Sequence, residues 1–299
     1  MEFYNETIRI AVLLYLKNET EGEEKYGHIN TWNVSNVTDM QNLFYGAFTF
    51  NQPLNNWDVS NVTNMSLMFR GTKLFNQPLD NWDVSNVTNM ECMFDHAESF
   101  NQPLDNWDVN NVTKIDCMFY RAKLFNQPLD NWDVSNVKNM YGMFYHAESF
   151  NQPLNKWDTS SVTNMGGMLG GASSFNQSLN KWDTSSVINM CGMFWGASSF
   201  NHPLNNWRVS NVDNMNKIFN NTPQIGKMLK KHNLTNKQFF ESPTNKNVYH
   251  ELFVWPRKKD YVTFLVNNQY LPLNKHQEKH EYHPLFDNPD ISKYIAYYL

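Results

Sequence analysis

One pattern of apolar positions governs this chain of 299 residues, and it recurs every 25 residues. Trp32, Trp57, Trp82, Trp107, Trp132, Trp157, Trp182 and Trp207 keep that interval over eight units without insertion or deletion. Phe50, Phe75, Phe100, Phe125, Phe150, Phe175 and Phe200 keep it too, each followed by asparagine. So strict a spacing means that every unit lays the same length of chain into one turn of a stack, because an extra residue would disturb both neighbours. Within WDVSNVTNMECMFDHAESFNQPLDN, the unit that starts at Trp82, two periodicities follow one another. Leu79, Trp82 and Val84 have the L-x-x-L-x-L form, with Trp82 and Val84 alternating inward on a short strand. Met90, Met93, Phe94 and Ala97 then stand at i, i+3, i+4 and i+7, one face of a short helix of about three turns. Ser85, Asn86 and Thr88 are its N-cap candidates. Phe100 folds back onto the core, and Pro103 forbids further helix. The expected fold is an α/β solenoid, leucine-rich-repeat-like, with one short strand and one short helix per turn over about eight turns. Strands stack at about 4.8 Å and helices are about 10 Å wide, so the sheet should line the concave side.

The pattern divides the chain into residues 1–29, an N-terminal helical cap; 30–222, the repeat solenoid; and 223–299, a C-terminal module. Net charges of -3, -6 and +4 for these regions sum to -5. In the first, an amphipathic helix should run through Leu16 and cover the open end of the stack, with a polar loop leading to the first turn. In the last, PRKKDYVTFLV reads as a strand after a basic turn and ISKYIAYYL as an aromatic end, so an α+β or mainly helical module is expected, docked on the last repeat or offered to a partner. The drift of the outer units, with Asn33 in place of aspartate at one end and Arg208, Lys217 and Ile218 at the other, is what end caps require.

Composition narrows the class. At 41% hydrophobic and 18% charged the chain reads as globular and soluble, and its mean hydropathy is -0.61. No stretch approaches the roughly 18 to 20 apolar residues of a membrane helix, the longest candidate being Ile10 to Leu16. That segment follows Glu2 and Glu6 rather than a basic start, so no signal peptide is read. Three cysteines do not make a disulfide framework and point to a reducing compartment. Asparagine is in excess at 45 residues, about one in seven, most of it inside the repeat rather than in a low-complexity tract.

The repeated string M-x-x-M-F-x-x-A-x-x-F-N-x-x-L-x-x-W-D-V-S-N-V resembles the BspA-like surface-protein repeats, from about Ile29 to Asn221. Proteins with that repeat are similar to leucine-rich-repeat proteins and occur as bacterial surface proteins, mycoplasma lipoproteins and products of large DNA viruses. The resemblance implies binding or scaffolding rather than catalysis. The opening IRIAVLLYL followed by KYGHINTWNVSNVTDM is similar to the viral members, while a lipobox cysteine near the start and a wall-anchor motif near the end are missing.

Positions equivalent to Trp82, Val84, Val87, Met90, Met93 and Phe94 are assigned to the core, the tryptophans forming a structural ladder. Methionines at helical spacing opposite that ladder read as packing rather than as a copper path. Asp58, Asp83, Asp108, Asp133, Asp158 and Asp183 take the outward position beside each tryptophan, a candidate binding ladder whose like charges would repel if left bare. Three resolutions exist: each carboxylate caps backbone N–H groups of its own turn, which is favoured, or the row faces a basic partner, or it binds cations such as calcium. Asn36, Asn61, Asn86, Asn111, Asn136 and Asn211 are expected to bond the neighbouring turn's backbone, which makes the N-V-T sequons among them incidental. Cys92 and Cys117 share a position in adjacent turns and Cys191 sits one position away; free thiols are expected, since a disulfide would need neighbouring helices unusually close. His276, His280 and His283 form the one metal-like cluster, for which a solvated polar face is the simpler reading.

No G-x-S-x-G, G-x-x-x-x-G-K-[ST], H-E-x-x-H or G-x-G-x-x-G occurs. The expectation is a non-enzymatic protein without cofactor that presents a polar concave sheet and a C-terminal module to protein partners. A large DNA virus is the favoured source, with a role in virion assembly or host-protein engagement and other virion proteins among the partners, in the virion or host cytoplasm. A cell-surface adhesin is the alternative, and a metal-dependent activity of the C-terminal histidines the third reading. The surplus of four positive charges in the last region is too modest to expect nucleic acid, and no small-molecule ligand is expected.

Overall fold

The structure, a computed structural model, describes residues 1–202, 204, 206–231, 235, 236 and 240. The chain divides into two units, Met1–Leu252 and Phe253–Leu299. The second, with the expected strand and aromatic end, lies outside the described residues.

The expected α/β solenoid is not what the repeats build. Among the described residues there is no strand, and the α-helices are α1 (Asn5–Lys17), α2 (Glu19–Tyr26) and α3 (Pro223–Lys231), all outside the repeats' regular part. Neighbouring coils meet through single parallel bridges, from Asp39 with Asn64 to Asn189 with Asn214. Each coil is a succession of hydrogen-bonded turns. In the third coil the N–H groups of Trp82, Val87, Met93, Asp95, Ala97 and Phe100 donate to the carbonyls three residues earlier, at 2.9–3.2 Å.

Two backbone posts explain why no helix forms. Asn42, Leu67, Cys92, Cys117, Gly142, Gly167, Gly192 and Lys217 have positive φ, as do Gly46, Gly71, His96, Arg121, His146, Gly171, Gly196 and Asn221 four residues on, all between 53° and 76°. Two left-handed residues four apart break an α-helix, and each is what the third position of a type II turn requires. It also swings alternate peptide groups sideways. The N–H groups of Met90, Cys92, Phe94 and His96 donate to the carbonyls of Lys114, Asp116, Met118 and Tyr120 in the next coil at 2.7–2.9 Å. The stretch expected to be helical is thus a ladder segment whose backbone polarity is satisfied between coils. Turns closed over three residues still bring every third or fourth side chain inward, and Met90, Met93, Phe94 and Ala97 are all buried.

Aromatic columns fill the interior. Phe44, Phe69, Phe94, Phe119 and Phe144 stack at 5.5–5.7 Å between centroids. Phe50 through Phe200 form a second column at 5.9–6.1 Å. The tryptophans form a third, at 6.3–6.5 Å. Every indole N–H from Trp57 to Trp207 donates to a carbonyl 28 residues earlier at 2.8–3.1 Å, which ties a buried donor to the preceding coil. Where Thr159 and Thr184 replace the usual valine, their buried hydroxyls donate to the next coil's Asp183 and Arg208 carbonyls at 2.9 Å.

Both ends of the stack are covered. Helix α1 buries Ile8, Ala11, Val12 and Tyr15, and Phe3 lies 4.8 Å from Trp32. Arg9 fixes the helix to the first coil through the Gln41 carbonyl at 2.5 Å and the Asp39 carboxylate at 3.2 Å. The polar loop expected after Leu16 is instead α2, capped by the Asn18 side chain on the Glu21 N–H at 3.3 Å and stopped by Gly27 at φ 77°. At the far end α3 buries Ile225, and Phe240 stacks 6.3 Å from Trp207 with an interplanar angle of 4°. A phenylalanine therefore closes the tryptophan column at each end.

Candidate interaction surface

The aspartate row is exposed, and each carboxylate is engaged within its own coil. Oδ1 of Asp58, Asp83, Asp108, Asp133, Asp158 and Asp183 accepts the N–H two residues on at 2.9–3.2 Å. The Ser85 hydroxyl and N–H hold the Asp83 carboxyl below the usual carboxylate range, Ser135 does the same for Asp133, and the Ser185 N–H first and hydroxyl second do so for Asp183. Asn33 accepts the Ser35 N–H at 3.1 Å in the first coil, so a neutral amide fills the same post. The amide nitrogens of Asn61, Asn86, Asn111, Asn136 and Asn211 donate to the preceding coil's backbone at 2.7–2.8 Å. His276, His280 and His283 lie outside the described residues, and among those described no three His, Cys, Asp or Glu side chains gather as for a metal ion.

The residues that differ from coil to coil lie on the ladder segment. Its second position reads Gln41, Ser66, Glu91, Asp116, Tyr141, Gly166, Cys191 and Asn216, eight different residues in eight coils. Four residues on, the column reads Tyr45, Arg70, Asp95, Tyr120, Tyr145, Gly170, Trp195 and Asn220. The inward positions between them scarcely change. Columns that pack the core must be alike, because each rung is its neighbour's partner; these two lie beside that core, half-buried for the most part with Ser66 and Asp95 buried, and are free to vary.

The middle coils carry a charged network there. Asp95, only 4% exposed, pairs with the Arg70 guanidinium at 2.8 Å and contacts His96 Nδ1, while His96 Nε2 lies 3.4 Å from Arg121. Glu98 bridges Lys73 at 3.4 Å and Lys123 at 2.7 Å, and Lys123 above all holds its carboxyl below the usual range. Glu91 and Asp116 are like charges on successive rungs; burial first, then Glu91, pushes the Asp116 carboxyl upward.

Next to it lies an aromatic patch that depends on glycine. Tyr120 and Tyr145 stack at 4.8 Å, and Tyr145 stacks on Trp195 at 6.2 Å across an intervening coil. That reach is possible because the sixth coil carries Gly166, Gly167, Gly170 and Gly171. A Cβ on Gly170 would stand 2.8 Å from the Tyr145 ring, and one on Gly171 would stand 2.5 Å from His146 Nδ1. Burial, then Arg121, lowers the His146 pKa from its ordinary value. Reading the chain for constant residues passes over this surface; the signal for it is the opposite one, the ladder columns in which the repeats disagree.

The family model described as "Mycoplasma protein of unknown function, DUF285" matches residues 15–132 and again 118–232. The two matches together span most of the chain, which therefore belongs to that family. No curated protein and no solved structure matches it.

Proposed function

We propose that this member of the DUF285 family is a non-catalytic interaction or scaffold protein that engages protein partners through the exposed and half-buried residues of the variable columns of its ladder segment. The observation that carries the reading is the second ladder position, where eight coils hold eight different residues. A surface that alternates charge pairs with exposed and half-buried Tyr141, Tyr145 and Trp195 has the composition of a protein-binding patch: aromatic anchors beside a polar rim. Partner capture from the native source, read by quantitative mass spectrometry, tests it. Tyr145→Ala with Trp195→Ala should release a specific partner that Asp58→Asn with Asp133→Asn retains; equal retention by both variants refutes the ladder face as the binding surface.

The source reading rests on the resemblance of the chain's opening to viral members: a protein of a large DNA virus acting in virion assembly or host-protein engagement, in the virion or host cytoplasm. The matched family's description names a bacterial genus, which favours the second reading, a cell-surface adhesin. Mass spectrometry of purified particles, infected cytosol and cell envelopes separates the two, and recovery in envelopes alone rejects the viral one.

A further inference from the structure

We propose that Cys92 and Cys117 form a disulfide that joins the third coil to the fourth. The two residues occupy the same post on successive rungs, at φ 53° and 54°. Their N–H groups make equivalent ladder bonds, Cys92 to the Asp116 carbonyl at 2.9 Å and Cys117 to the Tyr141 carbonyl at 2.8 Å. Rungs of a parallel ladder lie about 4.7–4.9 Å apart, within the roughly 4.4–6.8 Å that a disulfide needs between Cα atoms. Helices side by side would have doubled that distance, and the expectation of unconnected thiols rested on them.

The direction of the sulfur also fits. A Cβ built on Gly142, one rung beyond Cys117, stands 3.2 Å from Cys117 Sγ. In a disulfide one Cβ lies about 3 Å from the partner's sulfur, given an S–S bond of about 2.03 Å. The backbone step from Cys92 to Cys117 repeats the step from Cys117 to Gly142, so a Cys92 sulfur in the rotamer of Cys117 reaches its neighbour in the same way. Both cysteines are half-buried. The hydrogen bond with Cys117 first, and burial second, push the Cys92 thiol up. Cys191 is one residue off this post, and its column neighbours are Gly166 and Asn216, so it has no sulfur to meet.

The chemistry needs a two-electron oxidant, here a peroxide. One sulfur attacks a peroxide oxygen, the O–O bond breaks, a sulfenic acid forms and the other oxygen leaves as water. The second sulfur then attacks the sulfenic sulfur, and its own proton departs with the hydroxyl as a second water. Two thiols and one peroxide give one disulfide and two waters. A thiol pushed up is slow to react and a poor leaving group, so the bond forms slowly and resists reduction, as a staple and not a fast switch.

Treating the purified full chain with hydrogen peroxide, alkylating, and digesting with trypsin without reductant tests this. Trypsin cuts after Lys73, Lys114 and Arg121, so peptides 74–114 and 115–121 should appear as one cross-linked species, lost on reduction. Wild type and Cys191→Ser should both give it, and oxidation should raise Tm by about 5–10 °C in both. Cys92→Ser should show neither effect. Separate peptides bearing sulfinic acid or alkylated Cys92 and Cys117, or a covalent dimer through either residue, overturn the proposal.

Discussion

The carboxylates beside the tryptophans show how much of this chain is local bookkeeping between a side chain and its own backbone. Each accepts one N–H two residues on, and Asn33 does so without charge. Asp83→Asn, Asp133→Asn and Asp183→Asn together should leave neutral-pH stability within about 0.5 kcal/mol, whereas alanine at one of these posts should remove about 0.5–1 kcal/mol in urea titrations. Acid separates the amide from the acid further. The folded pKa values of these three groups lie below their unfolded ones, so their contribution is present above about pH 4 and is lost as pH falls through the folded values. The triple asparagine variant should therefore lose less stability than wild type between neutral pH and about pH 3, read by thermal melts. Asp116 has the opposite sign, because its folded pKa is raised. Asp116→Asn should raise Tm slightly at neutral pH, with the gain gone below about pH 4.

At the scale of the element, the inward set was legible in the sequence and the backbone was not. Trp82, Met90, Met93 and Phe94 are buried, yet tandem turns closed over three residues repeat the i, i+3, i+4 signature that a helix leaves. The discriminating signal was glycine: Gly142, Gly167 and Gly192 share one post, and Gly46, Gly71, Gly171 and Gly196 the post four residues on. Leu67, Arg121, Cys92 and Cys117 obscured it by accepting positive φ, which the ladder bonds compensate. The variable columns carry no such signal for a related reason: a repeat is defined by the positions that stay constant, and these are the positions at which the coils disagree. Two substitutions test this account of the element. Leu67→Gly should stabilise by up to about 1 kcal/mol by relieving a left-handed leucine. Gly171→Ala should destabilise by about 1–3 kcal/mol, because its Cβ would collide with His146 at 2.5 Å in a post already at φ 70°.

Across the whole stack, stability is a sum over coil interfaces, and the asparagines after each Phe50-type residue make this measurable. Oδ1 of Asn51, Asn76, Asn101, Asn126, Asn151 and Asn176 accepts the next coil's N–H at 2.8–2.9 Å, while among the described residues nothing donates to Oδ1 of Asn201. Asn101→Ala should cost about 1–3 kcal/mol and Asn201→Ala close to nothing in the same denaturation assay, because only the first removes an acceptor from a neighbour. The same logic sets the length rule. Deleting residues 51–75 joins Phe50 to Asn76 and restores every column in register, with the same caps at both ends. That variant should fold cooperatively with a Tm only a few degrees lower, having lost one interface. Deleting 24 residues from the same place shifts each tryptophan against its neighbour's leucine carbonyl and each turn post against the ladder, so every bond across that junction fails at once. It should expose the hydrophobic columns to dye and aggregate. If the two deletions behave alike, stacking in a fixed period is not what holds the coils together.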